Sequence, residues 1–378
     1  MKEPLNLLIL AGELSGDQHA ARLLRSLKRL RPEARAWGFG GDHLAAEGME
    51  LREHTRDLAV MGLVEVLKHY RYFKRIFDAL EAEVRANPPD LMLLVDYPGF
   101  NLRFARAVRD LGIPTVHYIC PQVWAWKRSR IPKMAKILDR LICIFPFEPP
   151  LFDAAGLPAF YCGHPLVEET ADVRADADWR AEIPKLALLP GSRHQEIERL
   201  FPPMLQAAAL LRARMPDVQI RVAAADAVLM RRMEELKARI APGLDVDFVL
   251  GKTRALVKGA DAALVTSGTA TLETALLGTP MLVVYKTSAM TYAIGKRLVK
   301  VKYIGMVNLV AEREVCPEFI QHAATPVALC GAVEPLLRDS PERKRMLEGL
   351  AGVRRRLISD EGGLAPVRCM LEALHGDA

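Results

Sequence analysis

The sequence predicts a two-domain α/β protein built on parallel sheets, and three observations carry that prediction. The chain has 378 residues, more than one hydrophobic core usually organises. Both halves alternate short Val/Ile/Leu runs with longer amphipathic stretches, the period change expected of successive βα units. In each half an apolar strand also runs straight into a small-residue turn and then a helix, at residues 6–30 and 260–280. No repeat with a period of roughly 20 to 50 residues interrupts this pattern.

Residues 6–10 read as the first strand, followed by the turn AGELSGD at 11–17 and a helix over 19–30. A second strand over 34–41 ends in Gly-Phe-Gly-Gly, and a third, fully apolar strand over 91–96 enters Tyr97-Pro98-Gly99-Phe100-Asn101 and another helix. Residues 115–119 and 140–145 continue an open, mostly parallel sheet, which places ligands at the carboxyl ends of its strands. The acidic, aperiodic stretch from Pro165 to Pro184 reads as a linker. The second domain restarts at 186–189, turns at Pro190-Gly191-Ser192-Arg193 and enters a helix; further strands are expected at 219–223, 247–249, 262–265 and 281–284. The expected domains are 1–165 and 184–345, with helices over 346–378 packing back on the first domain or on a partner.

Composition removes several function classes. Six cysteines are scattered without a Cys-x-x-Cys pair and the chain enters its first strand without a signal peptide, so the cytoplasm is the expected compartment. No apolar run approaches the roughly 18 to 20 residues needed to span a bilayer, which leaves peripheral membrane contact. A net charge of +6 suits an anionic substrate or an anionic membrane surface, and no nucleic-acid module is recognisable. Asp245-Val246-Asp247 spells Asp-x-Asp but starts a strand, and no His/Cys/Asp/Glu cluster has ligand spacing; neither a metal nor a cofactor is expected.

Two turns in the second half share one character. Ser267, Gly268 and Thr269 leave backbone N–H groups open at a helix start, where the dipole favours an anion, and Glu273 in the following turn can accept from a ribose. An ordinary capped helix is the competing reading. Gly191 and Ser192 form the second turn, and Arg193 adds a guanidinium suited to a departing diphosphate, or a solvated first-turn residue. In the first half, Asp96 closes an apolar strand where burial would raise its proton affinity toward general-base duty, or where it ties down the next turn. Gly12, Glu13, Ser15, Gly16, Asp17 and His19 crowd one segment at the same sheet edge, with neither a Walker loop nor a G-x-G-x-x-G fingerprint. Asn101 reads as a helix cap.

Residues 58–80 carry more apolar side chains than one buried helical stripe needs, interleaved with Lys68, Arg71, Lys74 and Arg75. Such a segment fits a membrane interface or a helix with a broad buried face. The stretches 122–136, with Trp124 and Trp126, and 296–303 repeat the basic and aromatic mixture.

The segments GELSGD, GFGG, DLAVMGLVEVL, LVDYPGFN, PQVWAWKRSRI, FPFE, YCGHPL, LPGSR, SGTATLE and the run from KRLVKVKY to PEFIQ occur in order along nearly the whole chain. Together they resemble the lipid-A-disaccharide synthases, glycosyltransferase family 19. The resemblance implies a GT-B-type fold, two facing Rossmann-like domains with an interdomain cleft. It also implies inverting transfer of 2,3-diacylglucosamine from UDP to 2,3-diacylglucosamine 1-phosphate, giving a β-1,6 disaccharide and UDP. It assigns Asp96 as base, Arg193 with the two turns to the diphosphate, Glu273 to the ribose, and Asn308 and Gln321 to the lining of the same cleft. Val60, Met61, Leu63, Val64, Val66 and Leu67 then form an acyl or membrane-facing patch, and a homodimer at the inner membrane is expected. The fold alone also admits a UDP-N-acetylglucosamine 2-epimerase-like isomerase or a non-enzymatic membrane-associated nucleotide-binding module.

Overall fold

The computed structural model describes residues 4–58, 70–126, 128–288, 292, 301–359 and 362–374. Two compact units emerge, one formed by Met1–Pro165 with Ser359–Ala378 and the other by Leu166–Ile358. The expected membrane patch at Val60, Met61, Leu63, Val64, Val66 and Leu67 lies outside the described residues, as does most of the 296–303 stretch. No described helix is long and apolar enough to cross a membrane.

The first unit is built on strands β1 (Asn6–Ala11), β2 (Arg35–Gly40), β3 (Glu50–His54), β4 (Leu91–Val95), β5 (Thr115–Tyr118), β6 (Arg140–Cys143) and β7 (Ala159–Tyr161). They pair in parallel in the order β3-β2-β1-β4-β5-β6-β7. β1 and β4 run in register from Leu7 opposite Leu91 to Ala11 opposite Val95. The paired residues of both are apolar because helices cover both faces of a parallel sheet. The helices at its site edge are α1 (Leu14–Leu30), α2 (Asp42–Ala46), α3 (Tyr70–Ala86) and α4 (Pro98–Ala107).

The first helix begins at Leu14 rather than at residue 19, so Ser15, Gly16 and Asp17 occupy its first turns instead of a loop. Gly16 lies against the end of β4: a Cβ there would stand in ordinary contact, 3.4 Å from the Val95 carbonyl oxygen, so α1 starts directly on β4. Strands β3 and β7 escape the sequence pattern because they carry little apolar signal; β3 reads Glu-Leu-Arg-Glu-His and β7 has three residues.

The second unit contains β8 (Lys185–Leu189), β9 (Gln219–Ala224), β10 (Asp247–Leu250), β11 (Ala262–Thr266), β12 (Met281–Tyr285) and β13 (Glu318–Ile320). These are also parallel, ordered β10-β9-β8-β11-β12-β13. Its principal helices are α5 (His194–Arg214), α6 (Thr253–Gly259), α7 (Thr269–Leu276), α8 (Met306–Ala311) and α9 (Pro341–Leu357).

The acidic stretch read as a linker is packed onto this second unit. Asp176 and Asp178 pair with Arg221 at 3.3 and 3.2 Å, and Trp179 lies against the same guanidinium while its indole N–H donates to the Leu256 carbonyl at 2.8 Å. The acidic residues are there to neutralise a buried arginine. The chain returns to the first unit after α9, later than residue 346, because Met346, Leu350, Val353 and Leu357 give α9 a buried face within the second unit. Helix α10 (Ala365–Glu372) then adds Val367, Cys369 and Met370 to the core formed by Ala20, Leu24 and Leu27 of α1.

In both sheets the strand order reverses once, between β1 and β4 and between β8 and β11. The carboxyl ends of strands at such a reversal diverge and leave a crevice where α/β proteins bind ligands.

Candidate functional site

At the first reversal, β1 runs into Gly12 and Glu13, and β4 into Asp96 and Tyr97. Asp96 and Tyr97 both take left-handed backbone angles, with φ of 48° and 45°. Non-glycine residues rarely adopt that region, and two in succession mark strain held by the surroundings. Asn101 supplies much of that hold. Its side chain is buried within α4, and Nδ2 donates to the carbonyls of Asp96 at 2.8 Å and Leu10 at 3.1 Å, tying the ends of β4 and β1 together. It is therefore a clasp across two strands rather than a helix cap. Gly12 is required by the same turn, because a Cβ there would run into the Tyr97 ring.

The Asp96 carboxyl is pushed above the ordinary aspartate range by burial, which outweighs the opposing hydrogen bond from the Tyr97 backbone. Glu13 is also raised, first by desolvation and then by the negative charge of Asp96. A partly desolvated carboxylate at a strand end, with a second acid nearby, is the environment that tunes a general base.

The remaining residues of this segment divide into exposed and structural ones. Ser15 is exposed in the first turn of α1, and His19 packs edge-on to Tyr118 with ring centroids 6.5 Å apart. Asp17 is fully buried: Oδ1 accepts from the backbone N–H of Gly41 at 2.7 Å and Leu44 at 3.1 Å, and Oδ2 from His43 at 3.1 Å. Its carboxylate caps α2 from another part of the chain, so the expected substrate contact is replaced by a scaffold contact. Gly41 is correspondingly tight, since a Cβ would stand 2.7 Å from Asp17 Oδ2 and from Thr55 Oγ1.

At the second reversal a cavity of about 400 Å³ is lined by both predicted turns, Gly191-Ser192-Arg193 and Ser267-Gly268-Thr269, together with Glu273. The turns are not equivalent. Glu196 folds back so that Oε2 accepts from the N–H groups of Ser192 at 3.0 Å and Arg193 at 3.2 Å, while Oε1 pairs with the Arg193 guanidinium at 3.0 Å. An internal carboxylate thus occupies the N–H groups expected to meet a phosphate; the Arg193-to-Glu196 spacing is that of a capping box. Arg193 itself is 81 % exposed, so its guanidinium has room to re-aim.

The other turn remains open. Gly268, at φ 151°, precedes α7; the Thr271 N–H donates to the Gly268 carbonyl at 3.1 Å, while the N–H groups of Thr269 and Ala270 at the helix start have no intrahelical acceptor. The Ser267 hydroxyl donates to the Ile304 carbonyl at 2.8 Å, fixing the turn beneath them. These amides and the positive helix end give the turn the character that favours an anion.

Asn308 and Gln321 do not line this cavity. Asn308 is fully buried, accepting from the Val315 and Cys316 N–H groups at 2.8 and 2.9 Å and donating to Cys316 O and Glu318 at 2.7 and 2.9 Å. Gln321 bonds both backbone groups of Thr287, at 3.1 and 3.2 Å, and so extends the β12–β13 pairing. Both amides fasten backbone that the apolar pattern leaves unspecified.

One buried polar cluster was not visible in the sequence. The sulfurs of Cys120 and Cys143 and a carboxylate oxygen of Glu148 lie within 4.8 Å of one another. Glu148 accepts from Trp124 Nε1 at 2.9 Å and Phe145 N–H at 3.1 Å, and burial pushes its carboxyl up to about 7. Burial holds both thiols above their ordinary range, which disfavours the thiolates a metal would take as ligands.

Comparison with known proteins agrees with this two-unit geometry. The family model for lipid-A-disaccharide synthetase matches residues 7–351. The lipid-A-disaccharide synthase of Myxococcus xanthus is 38 % identical over 381 residues, covering 99 % of this chain and 99 % of its own. Among solved structures, the glycotransferase of kitacinnamycin superposes with a TM-score of 0.62 at 15 % identity, over 98 % of this chain and 99 % of its own. A UDP-N-acetylglucosamine 2-epimerase-type structure from Listeria monocytogenes gives 0.63 at 14 % identity, over 97 % and 94 %. Those two likenesses speak to a shared GT-B-type fold, and the epimerase reading rests on nothing more. With the family model spanning most of its length and a full-length relative at this identity, the chain belongs to the lipid-A-disaccharide synthase family.

Proposed function

We propose that this enzyme forms the lipid A disaccharide by a single inverting displacement, in which the 6-hydroxyl of 2,3-diacylglucosamine 1-phosphate attacks the anomeric carbon of UDP-2,3-diacylglucosamine. The new β-1,6 bond forms as the bond to the β-phosphate oxygen of UDP breaks. One base suffices for this chemistry, because no covalent glycosyl-enzyme has to be resolved.

Asp96 takes the proton of the attacking hydroxyl. The observation that carries this assignment is its place at the end of β4, in strained backbone and with its proton affinity raised by burial. Glu13 acts as a second acid beside it. UDP occupies the cavity of the second unit, with its diphosphate on the N–H groups at Gly268 and Thr269 and its ribose on Glu273. Arg193 turns from Glu196 to the departing diphosphate, exchanging an internal carboxylate for the charge that develops as the bond breaks. Gly191 and Ser192 follow that exchange.

Both substrates carry acyl chains, so the enzyme works at the cytoplasmic surface of the inner membrane and takes them up through Val60, Met61, Leu63, Val64, Val66 and Leu67. A homodimer is the proposed working form. Incubation with both sugar substrates tests the core of the reading: disaccharide 1-phosphate and UDP should appear in equal amounts. UDP release without disaccharide, or no turnover, would sink it. Asp96→Asn should retain UDP binding and lower kcat by about 10²- to 10⁴-fold; a near-normal rate would move the base elsewhere. Flotation with anionic vesicles and analytical ultracentrifugation test the membrane and dimer assignments.

A further inference from the structure

Glu273 is a carboxylate in a cavity otherwise suited to an anion, and the structure shows how its charge and direction are controlled. Arg254 of α6 donates from Nε at 2.9 Å and from Nη2 at 2.6 Å, both to the same oxygen, Oε1 of Glu273. The second oxygen, Oε2, has no recorded hydrogen bond among the described residues. A carboxylate gripped through one oxygen presents the other in a fixed direction, which suits the hydroxyl donors of a ribose.

Arg254 is itself held. Its Nη2 also donates to Glu169 Oε2 at 2.7 Å, from the short helix Leu166–Glu169 where the chain enters the second unit. The same stretch fastens α6 again further on, through Asp176 N–H to the Ala255 carbonyl at 3.0 Å and Trp179 Nε1 to the Leu256 carbonyl at 2.8 Å. One guanidinium between two carboxylates also offsets the repulsion that Glu273 would exert on an incoming diphosphate.

We propose that Arg254 is a positioning residue for nucleotide selection, holding Glu273 in the orientation that reads the ribose hydroxyls, with Glu169 in turn holding Arg254. This rests on the reading of the cavity as the UDP site. The role is directional rather than catalytic: Arg254 acts through Glu273.

The test uses calorimetric titration of the full-length protein with UDP and with 2′,3′-dideoxy-UDP. The two ligands carry the same charge, so the ratio of their affinities isolates the ribose contacts. The parent should prefer UDP by about tenfold or more. Arg254→Lys keeps the positive charge but loses the fork, and should bring the ratio within about threefold of unity while dideoxy-UDP affinity changes little. Arg254→Gln should collapse the ratio further, and Glu169→Gln should lower it by a smaller factor. A parental ratio in both Arg254 variants overturns the proposal, as does equal loss of both ligands in Arg254→Lys, which would mark a merely structural residue. Glu273→Gln separates the two levels. If its ratio stays parental, the ribose assignment itself fails; if its ratio collapses while that of the Arg254 variants does not, only the positioning role fails.

Discussion

Asp17→Ala should destabilise the first unit without touching nucleotide binding, and the structure sets the size of the effect. The carboxylate is fully buried and accepts three backbone N–H bonds, at 2.7, 3.1 and 3.1 Å. A hydrogen bond to a charged group contributes about 1.5–3 kcal/mol, but three on one carboxylate are not additive. Stranding the Gly41, His43 and Leu44 amides together should therefore cost about 3–5 kcal/mol, a large share of the roughly 5–15 kcal/mol typical of a folded protein. Asp17→Asn keeps an oxygen for Gly41 and Leu44 but turns an NH2 group toward the His43 N–H, for a loss of about 1–3 kcal/mol. Urea unfolding reports the global change, and amide exchange of the 41–46 segment reports the local one. UDP affinity, measured on the same samples, should stay at the parental value. An Ala variant within about 0.5 kcal/mol of the parent, with a raised KM for the acceptor, would refute the scaffold argument and return Asp17 to the substrate.

Gly12→Ala should abolish turnover, since its methyl group runs into the Tyr97 ring, and Tyr97→Ala in the same chain should restore part of it by making room; no rescue in the double variant would count against the steric account. Burial raises the Asp96 carboxyl, and a base must be ionised to work, so kcat/KM should fall as pH drops through a limb above the ordinary aspartate range. A profile flat down to the pH of a solvent-exposed aspartate would contradict it. Glu148, at about 7 in the folded chain against 4.5 ordinarily, holds a proton that the unfolded chain releases within that window. Its contribution is full below that window and declines as pH rises through about 7, by about 3 kcal/mol in all. Denaturation curves at several pH values should show this slope in the parent and not in Glu148→Gln; equal slopes would mean that the proton belongs elsewhere.

Ten of the thirteen strands among the described residues are legible in the sequence, because a strand covered on both faces, such as β4 or Leu7–Ala11 of β1, is written as a mainly apolar run. The edge strand β3 and the three-residue strands β7 and β13 are not, since an edge needs no continuous apolar run. The glycine and serine turns are also legible, as their backbone requirements are local, and the structure gathers Gly191-Ser192 and Ser267-Gly268 around one cavity. What the sequence hides is long-range polar pairing. Nothing near Asp17 announces that its partners are amides at 41–44, nothing near Glu273 announces Arg254, and Asn308 looks like a cleft residue until the carbonyl and amides around Cys316 close upon it. Side chains of one type serve ligand and scaffold equally well, and only the fold decides between them.

The return of helix α10 to the first unit has a consequence for biosynthesis. Val367, Cys369 and Met370 fill a core whose other members lie within the first 162 residues, and Arg140 waits for Glu372 at 3.0 Å. A ribosome therefore has to release the chain through this helix, Ala365–Glu372, before the earliest-made unit can close, while the unit encoded in between has its described strands by residue 320. The order of completion is the reverse of the order of synthesis. Until α10 emerges, an incomplete hydrophobic surface on the first unit is the natural target for a chaperone, and a chain stopped short of α10 is the natural target for a protease.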